Sequence, residues 1–240
     1  MSGRAAPEIT VALPAYNEEK NIARVVGDTR AALDPLGVPW EILVIDNCSR
    51  DGTRTVVESL ARDDPRVRLI AHAENLLYSG SCRTAIREAR GHHIAIMDSD
   101  GQCTAADVPR FRARLEGGAS LVFGWRRQRH DPLSRKLMSR VFNALGRAWL
   151  DFPFHDLNCG LRMFDRRFAA VSEIRHRINM SNPELFVRAR RAGLPMEEVE
   201  VRHFERREGA TSHDLRRIWR IFTEVNAYFR ALHAELKARP

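Results

Sequence analysis

The stretch "WEILVIDNCSRDGT", residues 40–53, opens with apolar and β-branched residues and closes on acids, small polar residues and a glycine. An unbroken apolar run of that kind reads as a strand buried on both faces, because a half-exposed strand would alternate apolar with polar. "TRTVVESLA" follows at 53–61 and spaces its apolar residues for a helix. Strand, polar turn, helix is therefore the unit, and the neighbouring segments repeat it. "ITVAL" at 9–13 is stopped by Pro14 and leads into a helical pattern with Ile22, Val25, Val26, Thr29 and Leu33 on one face. "VRLIAH" at 67–72 and "HIAIMD" at 93–98 are two further strands, with a helix at about 80–90 between them, and "ASLVFGW" at 119–125 closes this part of the chain.

Such alternation predicts an α/β fold: a doubly wound, mostly parallel sheet with helices on both faces. The 240 residues fit one large domain better than two average ones. We place that domain at 1–212 and a C-terminal amphipathic helix at 213–240. In sheets of this kind ligands collect where the carboxyl ends of the strands open into a crevice. The polar clusters share that address: "PAYNEE" ends the first strand, "DNCSRDG" the second and "DSDGQC" the fourth. The first loop lacks GxGxxG and GxxxxGK[ST], so dinucleotide and P-loop readings lose their main support.

In "DSDGQC" a period-2 backbone would send Asp98, Asp100 and Gln102 the same way if the chain stays extended past the strand. Three hard oxygen ligands suit a divalent cation, although two acids in a turn are also ordinary surface chemistry. Further on, residues 133–150 place Leu133, Leu137, Val141, Leu145 and Trp149 on one helical face and Arg135, Lys136, Arg140 and Arg147 on the other. Both a helix lying on a membrane surface and a helix capping a protein core look like this. "SNPE" at 181–184 reads as a capping box, and "PMEEVEVRHF" at 195–204 as a late edge strand. The tail from about Asp214 to Lys237 is one amphipathic helix with Ile218, Phe222, Val225, Phe229 and Leu232 together; it could pair with a second copy or pack on the sheet.

The net charge of +8 implies polyanionic company: nucleic acid, an anionic membrane or phosphorylated substrates. Sparse aromatics without basic interleaving make nucleic acid the weakest of these, and none is expected. No apolar run approaches the roughly 18–20 residues that cross a bilayer, and the N-terminus lacks a signal-peptide core, so a cytoplasmic location is expected. Cys48, Cys82, Cys103 and Cys159 show no metal-ligand spacing and are read as reduced thiols.

The ordered set "VALPAYNEEKNI", "EILVIDNCSRDGT", "IAIMDSDGQC" and "DLNCGLRMF" resembles the inverting family 2 glycosyltransferases of the GT-A fold, closest to their polyprenyl-phosphate (dolichyl-phosphate) mannosyltransferase branch, from about Ile9 to Ser212. The resemblance implies a GDP- or UDP-sugar donor, Mg2+ or Mn2+ as cofactor, and a polyprenyl phosphate acceptor met at the inner membrane face. It makes Asp98, Asp100 and Gln102 the metal shell. Pro14, Ala15, Tyr16, Glu18, Asp46, Asn47 and Ser99 fall on its donor-binding positions, with Asn47 where a second aspartate is usual. Glu18 and Glu19 also suit a purely structural role at a helix N-terminus. Arg126 and Arg135 match arginines that bind an acceptor's phosphate. Asp156 is the candidate base for a hydroxyl acceptor, with a structural alternative of holding Arg162 or a turn.

"RREGATS" at 206–212 resembles a loop R-x-x-G-x-S-K over the donor diphosphate: Arg206 and Gly209 match, Thr211 replaces the serine, and Ser212 stands where the lysine is expected. "NLLYSGS" at 75–81 stands where an N-x-G-K-G-like loop is usual, without its lysine. A soluble small-molecule acceptor and a non-enzymatic nucleotide-sugar binding module are the competing functions.

Overall fold

Each apolar run forms a strand, and the first four strands each lead into a helix. The computed structural model describes residues 6–129, 133–205 and 215–238. β1 (Ile9–Ala15), α1 (Glu19–Leu33), β2 (Trp40–Asp46), α2 (Thr53–Asp63), β3 (Val67–Ala71), α3 (Leu77–Glu88) and β4 (His93–Met97) make the first half. The second half holds α4 (Val108–Glu116), β5 (Leu121–Trp125), α5 (Leu133–Leu150), β6 (Leu161–Asp165), α6 (Arg166–Ala169), α7 (Asn182–Arg191), β7 (Met196–Glu200) and α8 (Leu215–Lys237).

One sheet carries the strands in the order β3-β2-β1-β4-β6-β5-β7. β1 to β4 are parallel, β7 is parallel to β5 at the edge, and β6 runs against both its neighbours. The reversal of β6 has a consequence for the site: its start, at Gly160, lies beside the end of β4, where the Asp98 N–H donates to the Gly160 carbonyl at 3.1 Å. "GLRMF" did not stand out as a strand, because its run is short and interrupted by Arg162.

The unbroken apolar strands do what burial on two faces requires. Val11, Leu13, Ile42 and Val44 point into a core layer shared with Ile22 and Val25 of α1 and Phe111 of α4. Ala12, Leu43, Ile45 and Ile96 point the other way, into a layer shared with Cys82 of α3, Phe186 of α7 and Phe229 of α8. Each such side chain contributes on the order of 1.5–3 kcal/mol relative to exposure. In α8, Val225, Phe229 and Leu232 are buried within the chain itself, so this part of its apolar face packs intramolecularly.

Two local readings need correction. α7 starts at Asn182 as the motif predicts, but Ser181 makes no side-chain cap bond and Glu184 turns away to accept from the Arg175 and His176 N–H groups. α5 does not present one clean apolar face: Leu145 and Trp149 pack inward, whereas Leu137 is 63% exposed and Val141 43%. The reason is geometric. Each i, i+4 step turns about 40° around a helix of 3.6 residues per turn, so a stripe of four such steps drifts nearly halfway round.

Candidate active site

The carboxyl ends of β1, β2 and β4 and the start of β6 frame two neighbouring cavities, of about 290 Å³ and about 520 Å³. Tyr78 and Asn179 line both.

Pro14, Ala15, Tyr16 and Asn47 all wall the smaller cavity, together with Asn75 and Ser81. Asn47 is cross-tied on every side. Its Oδ1 accepts from the Leu76 N–H at 2.9 Å and faces His72 Nδ1 at 3.0 Å, while its Nδ2 donates to Asn75 Oδ1 at 3.1 Å and the Leu77 carbonyl at 3.3 Å. An oxygen that already accepts requires His72 to carry its proton on Nδ1, which leaves Nε2 to accept from Thr84 Oγ1 at 2.9 Å. Burial pushes the His72 pKa below its ordinary value, in keeping with a neutral ring. Ser81 Oγ is buried without a partner. Asp46 is buried, takes the Ser49 N–H at 3.1 Å, and is not a wall of this cavity among the described residues. Ser99 donates to the Pro14 carbonyl at 2.7 Å and so ties the end of β4 to that of β1. Glu18 is buried at the entry of α1, where Asn21 Nδ2 donates to its Oε2 at 2.7 Å and Thr53 Oγ1 accepts its N–H at 2.8 Å. Glu19 accepts from the Gly52 N–H at 3.0 Å, as a first-turn acid bridging to α2.

Asp98, Asp100 and Gln102 do converge on the larger cavity, but not along an extended chain. β4 ends at Met97, and the backbone turns at once: Asp100 Oδ1 accepts from the Gln102 N–H at 3.0 Å, and Gly101 has a φ of 77°, the left-handed region that favours glycine. A second glycine makes room for the first carboxylate, since a Cβ on Gly160 would come within 2.3 Å of Asp98 Oδ2. Gln102 is tied to the stretch after β7: its carbonyl accepts from the Phe204 N–H at 3.0 Å, and its Nε2 reaches the Phe204 carbonyl at 3.5 Å.

No group of three His, Cys, Asp or Glu residues able to hold a metal occurs among the described residues. Two carboxylates and one carboxamide oxygen nevertheless suit Mg2+ or Mn2+, which take one or two protein carboxylates and complete their shell with substrate phosphate oxygens and water. The donor set therefore fits a cation that arrives with a diphosphate.

Arg126, Arg129 and Arg162 line the same cavity. Arg126 donates to Asp156 from Nε at 2.7 Å and from Nη2 at 3.1 Å, and to the Asn158 carbonyl at 2.7 Å. The pair is nearly buried, with side-chain exposures of 10% and 4%. Burial opposes the guanidinium charge, but the Asp156 hydrogen bonds and charge prevail and raise the Arg126 pKa. Asp156 thus holds Arg126 rather than Arg162, and the turn role suggested by the sequence is also present: its Oδ1 accepts from the Asn158 N–H at 3.2 Å. Behind Arg126 lies a cavity of about 270 Å³ walled by Arg127, Arg129, Lys136, Arg140 and His155. His155 stacks on Trp125 with ring centroids 4.1 Å apart and meets Glu198 through Nδ1 at 2.7 Å.

Arg135 lies on α5, but its side chain, like the whole of Arg206–Ser212, lies outside the described residues. Tyr78, Asn75, Arg129, Lys136 and His155 line these cavities without having been singled out as site residues in the sequence. The arginines at 126, 127 and 129 were a legible signal; the others are joined only by the fold.

Residues 10–171, more than half the chain, match the family model for glycosyl transferase family 2. The undecaprenyl-phosphate 4-deoxy-4-formamido-L-arabinose transferase of Shewanella sediminis is 27% identical over 85% of this chain and 61% of its own length. The dodecaprenyl-phosphate galacturonate synthase of Rhizobium johnstonii is 27% identical over 97% of this chain and 69% of its own. The chain therefore spans about 61–69% of the length of these two relatives. Glucosyl-3-phosphoglycerate synthase from Mycobacterium tuberculosis, solved with Mn2+, UDP and phosphoglyceric acid, superposes with a TM-score of 0.68 at 19% identity, over 98% of this chain and 80% of that one. A mannosyltransferase from Pyrobaculum calidifontis, solved with GDP-mannose and Mn2+, gives 0.61 at 18% identity, over 97% and 74%.

Proposed function

The chain belongs to glycosyl transferase family 2, with the GT-A fold, and from that premise we propose that it moves a sugar from a GDP- or UDP-sugar to a polyprenyl phosphate, with inversion at the anomeric carbon. The observation that carries this reading is one cavity lined both by Asp98, Asp100 and Gln102 and by Arg126 and Arg129, so that cation-binding and anion-binding groups share it. Mg2+ or Mn2+ bound there would supply Lewis-acid stabilisation of the departing diphosphate.

The chain's own residues do the rest. Pro14, Ala15, Tyr16 and Asn47 enclose the nucleoside, and Ser99 and Asp46 hold the strand ends that present them. Glu18 keeps the first helix in place beneath that wall. Arg126 and Arg135 bind the acceptor's phosphate, and Arg206 the donor's; for Arg135 and Arg206 the resemblance is the support. A phosphate monoester is already ionised near neutral pH and attacks without a general base. The commitment of Asp156 to Arg126 favours such an acceptor over a hydroxyl, for which Asp156 would have to leave its ion pair.

Exposed Leu137 and Val141, next to exposed Arg140 on α5, favour an acceptor held in a membrane, approached from its inner face. Among the described residues no helix is long and apolar enough to cross a bilayer. A small phosphorylated acceptor is the second reading, favoured by the basic cavity of about 270 Å³, which would take its phosphate equally well.

The test is nucleotide release from a panel of UDP- and GDP-sugars with added Mn2+ or Mg2+. One arm offers polyprenyl phosphate in vesicles, the other soluble sugar and glycerate phosphates. Sugar appearing on the lipid is the expected result. Transfer only to soluble acceptors would replace it with the second reading, and metal-independent nucleotide binding without turnover would leave a binding module.

A further inference from the structure

Behind Asp98, Tyr78 leads from the cavity wall into a chain of buried side chains. Tyr78 Oη donates to Asp98 Oδ1 at 2.6 Å and accepts from Arg162 Nη1, also at 2.6 Å. Arg162 sits on β6 opposite Ile96 of β4 and is 1% exposed. Its Nη2 donates to Cys82 Sγ at 2.9 Å, and its Nε is buried without a partner.

A full positive charge is thus buried on the apolar side of the sheet with a phenol and a thiol as its direct partners. Burying an ion without a counter-charge is costly, so such a group invites a functional account. The anion it reaches through Tyr78 is Asp98. Arg162 can only donate and an ionised Asp98 can only accept, so the phenol between them has its proton direction forced toward Asp98.

The turn that delivers Tyr78 is itself held in an unfavourable state. Leu77 has a φ of 60°, a left-handed conformation that disfavours a leucine. Asn75 Oδ1 pins it by accepting the Leu77 N–H at 2.8 Å, and Asn47 Nδ2 pins the Leu77 carbonyl at 3.3 Å. Conformations of this kind persist where surrounding structure over-determines them, commonly at functional sites. Here the strained residue precedes the side chain that stands between the two cavities.

We propose that Tyr78 and Arg162 are positioning residues for a divalent-cation site at Asp98: the phenol holds Asp98 by Oδ1 and leaves Oδ2 for the cation, and Arg162 orients the phenol while placing positive charge beneath the donor diphosphate. The proposal rests on the glycosyl-transfer reading above. It also gives the buried guanidinium a purpose that packing alone does not.

The experiment is calorimetric titration of Mn2+ into the full chain saturated with UDP or GDP, for the natural protein and Tyr78→Phe. Removing a hydrogen bond that orients a metal ligand weakens metal binding by roughly ten- to a hundredfold, and that is the loss expected for Tyr78→Phe. Metal-free nucleotide affinity should fall far less than Mn2+ affinity, while the thermal midpoint drops because Arg162 Nη1 loses its buried partner. Arg162→Met, if circular dichroism shows it folded, should give the same selective loss. Tyr78→Phe with Mn2+ affinity within about twofold of the natural chain, well short of that loss, would overturn the proposal, as would an equal loss of metal-free nucleotide binding. A natural chain that binds no Mn2+ with either nucleotide would sink the functional reading itself, and this proposal with it.

Discussion

The two sides of the cleft are built differently. On the side we propose for the nucleoside the walls come from strand-end loops that tie one another down: Asn47 alone makes contacts with His72, Asn75, Leu76 and Leu77. On the side we propose for the acceptor the walls come from α5, the end of β5 and the stretch before β6, and charge is concentrated in one buried pair, Arg126 with Asp156, beside a basic hollow. A pocket for a flat, rigid base gains from many short ties, which remove the entropy of ordering before binding. A surface that must admit a phosphate on a flexible or membrane-held chain gains from charge and openness instead.

Five substitutions, the last read through a pH series, would break or sharpen that contrast. Asp98→Asn lies where the two sides meet and should have the largest effect, lowering kcat/KM by about a thousandfold or more, since a lost Lewis-acid contact is worth several kcal/mol; steady-state kinetics at saturating Mn2+ would measure it. Asp156→Ala strands a buried guanidinium and should cost about 3–5 kcal/mol in urea unfolding. A loss under about 1 kcal/mol would mean Arg126 relaxes to solvent and the pair is no keystone of the acceptor side. Leu137→Glu should remove roughly tenfold or more of liposome affinity, from the worth of one buried leucine, while donor hydrolysis stays intact; liposome affinity within about twofold of the natural chain would count against α5 as the membrane contact.

Asn47→Ala should cost about 1–2 kcal/mol, the scale of a few net hydrogen bonds with some left unpaired, and raise the KM for donor more than it lowers kcat. If it destabilises more than Asp156→Ala, the relative weight of the two sides is reversed. The smallest effect concerns His72. Its pKa is lowered in the folded chain by burial, so below about 6.5, its ordinary value, the unfolded chain takes the proton more readily and stability falls with pH until the folded pKa is passed. His72→Gln should flatten the urea-midpoint slope between roughly pH 7 and 5; His93, lowered for the same reason, leaves part of the slope in place.

The nucleoside side was largely legible in the residues because its elements are contiguous: a run such as "EILVIDNCSRDGT" contains its strand, its turn and its helix start together. The acid pair was legible for the same reason, although the route to convergence was misread. Alternation along an extended chain suggested it, whereas a turn at Gly101 and an Asp100 bond to the Gln102 N–H produce it. The acceptor side was less legible. Asp156 and Arg126 are 30 residues apart and meet only because the segments flanking β5 and β6 are brought together. On α5, apolar spacing marked a stripe but not which part of it the core would claim, and Leu137 was left outside.

From its order of residues alone, this protein was bound to form a parallel α/β sheet with polar loops at the strand ends, because apolar runs and helical spacing are local properties that burial on both faces then enforces. Tertiary structure alone decided that β6 would run backwards, setting Gly160 under Asp98, and that Arg162 would reach Asp98 only through Tyr78. Those contacts join residues 20 and 84 positions apart, and no local pattern records them, since they depend on which strands become neighbours and in what direction.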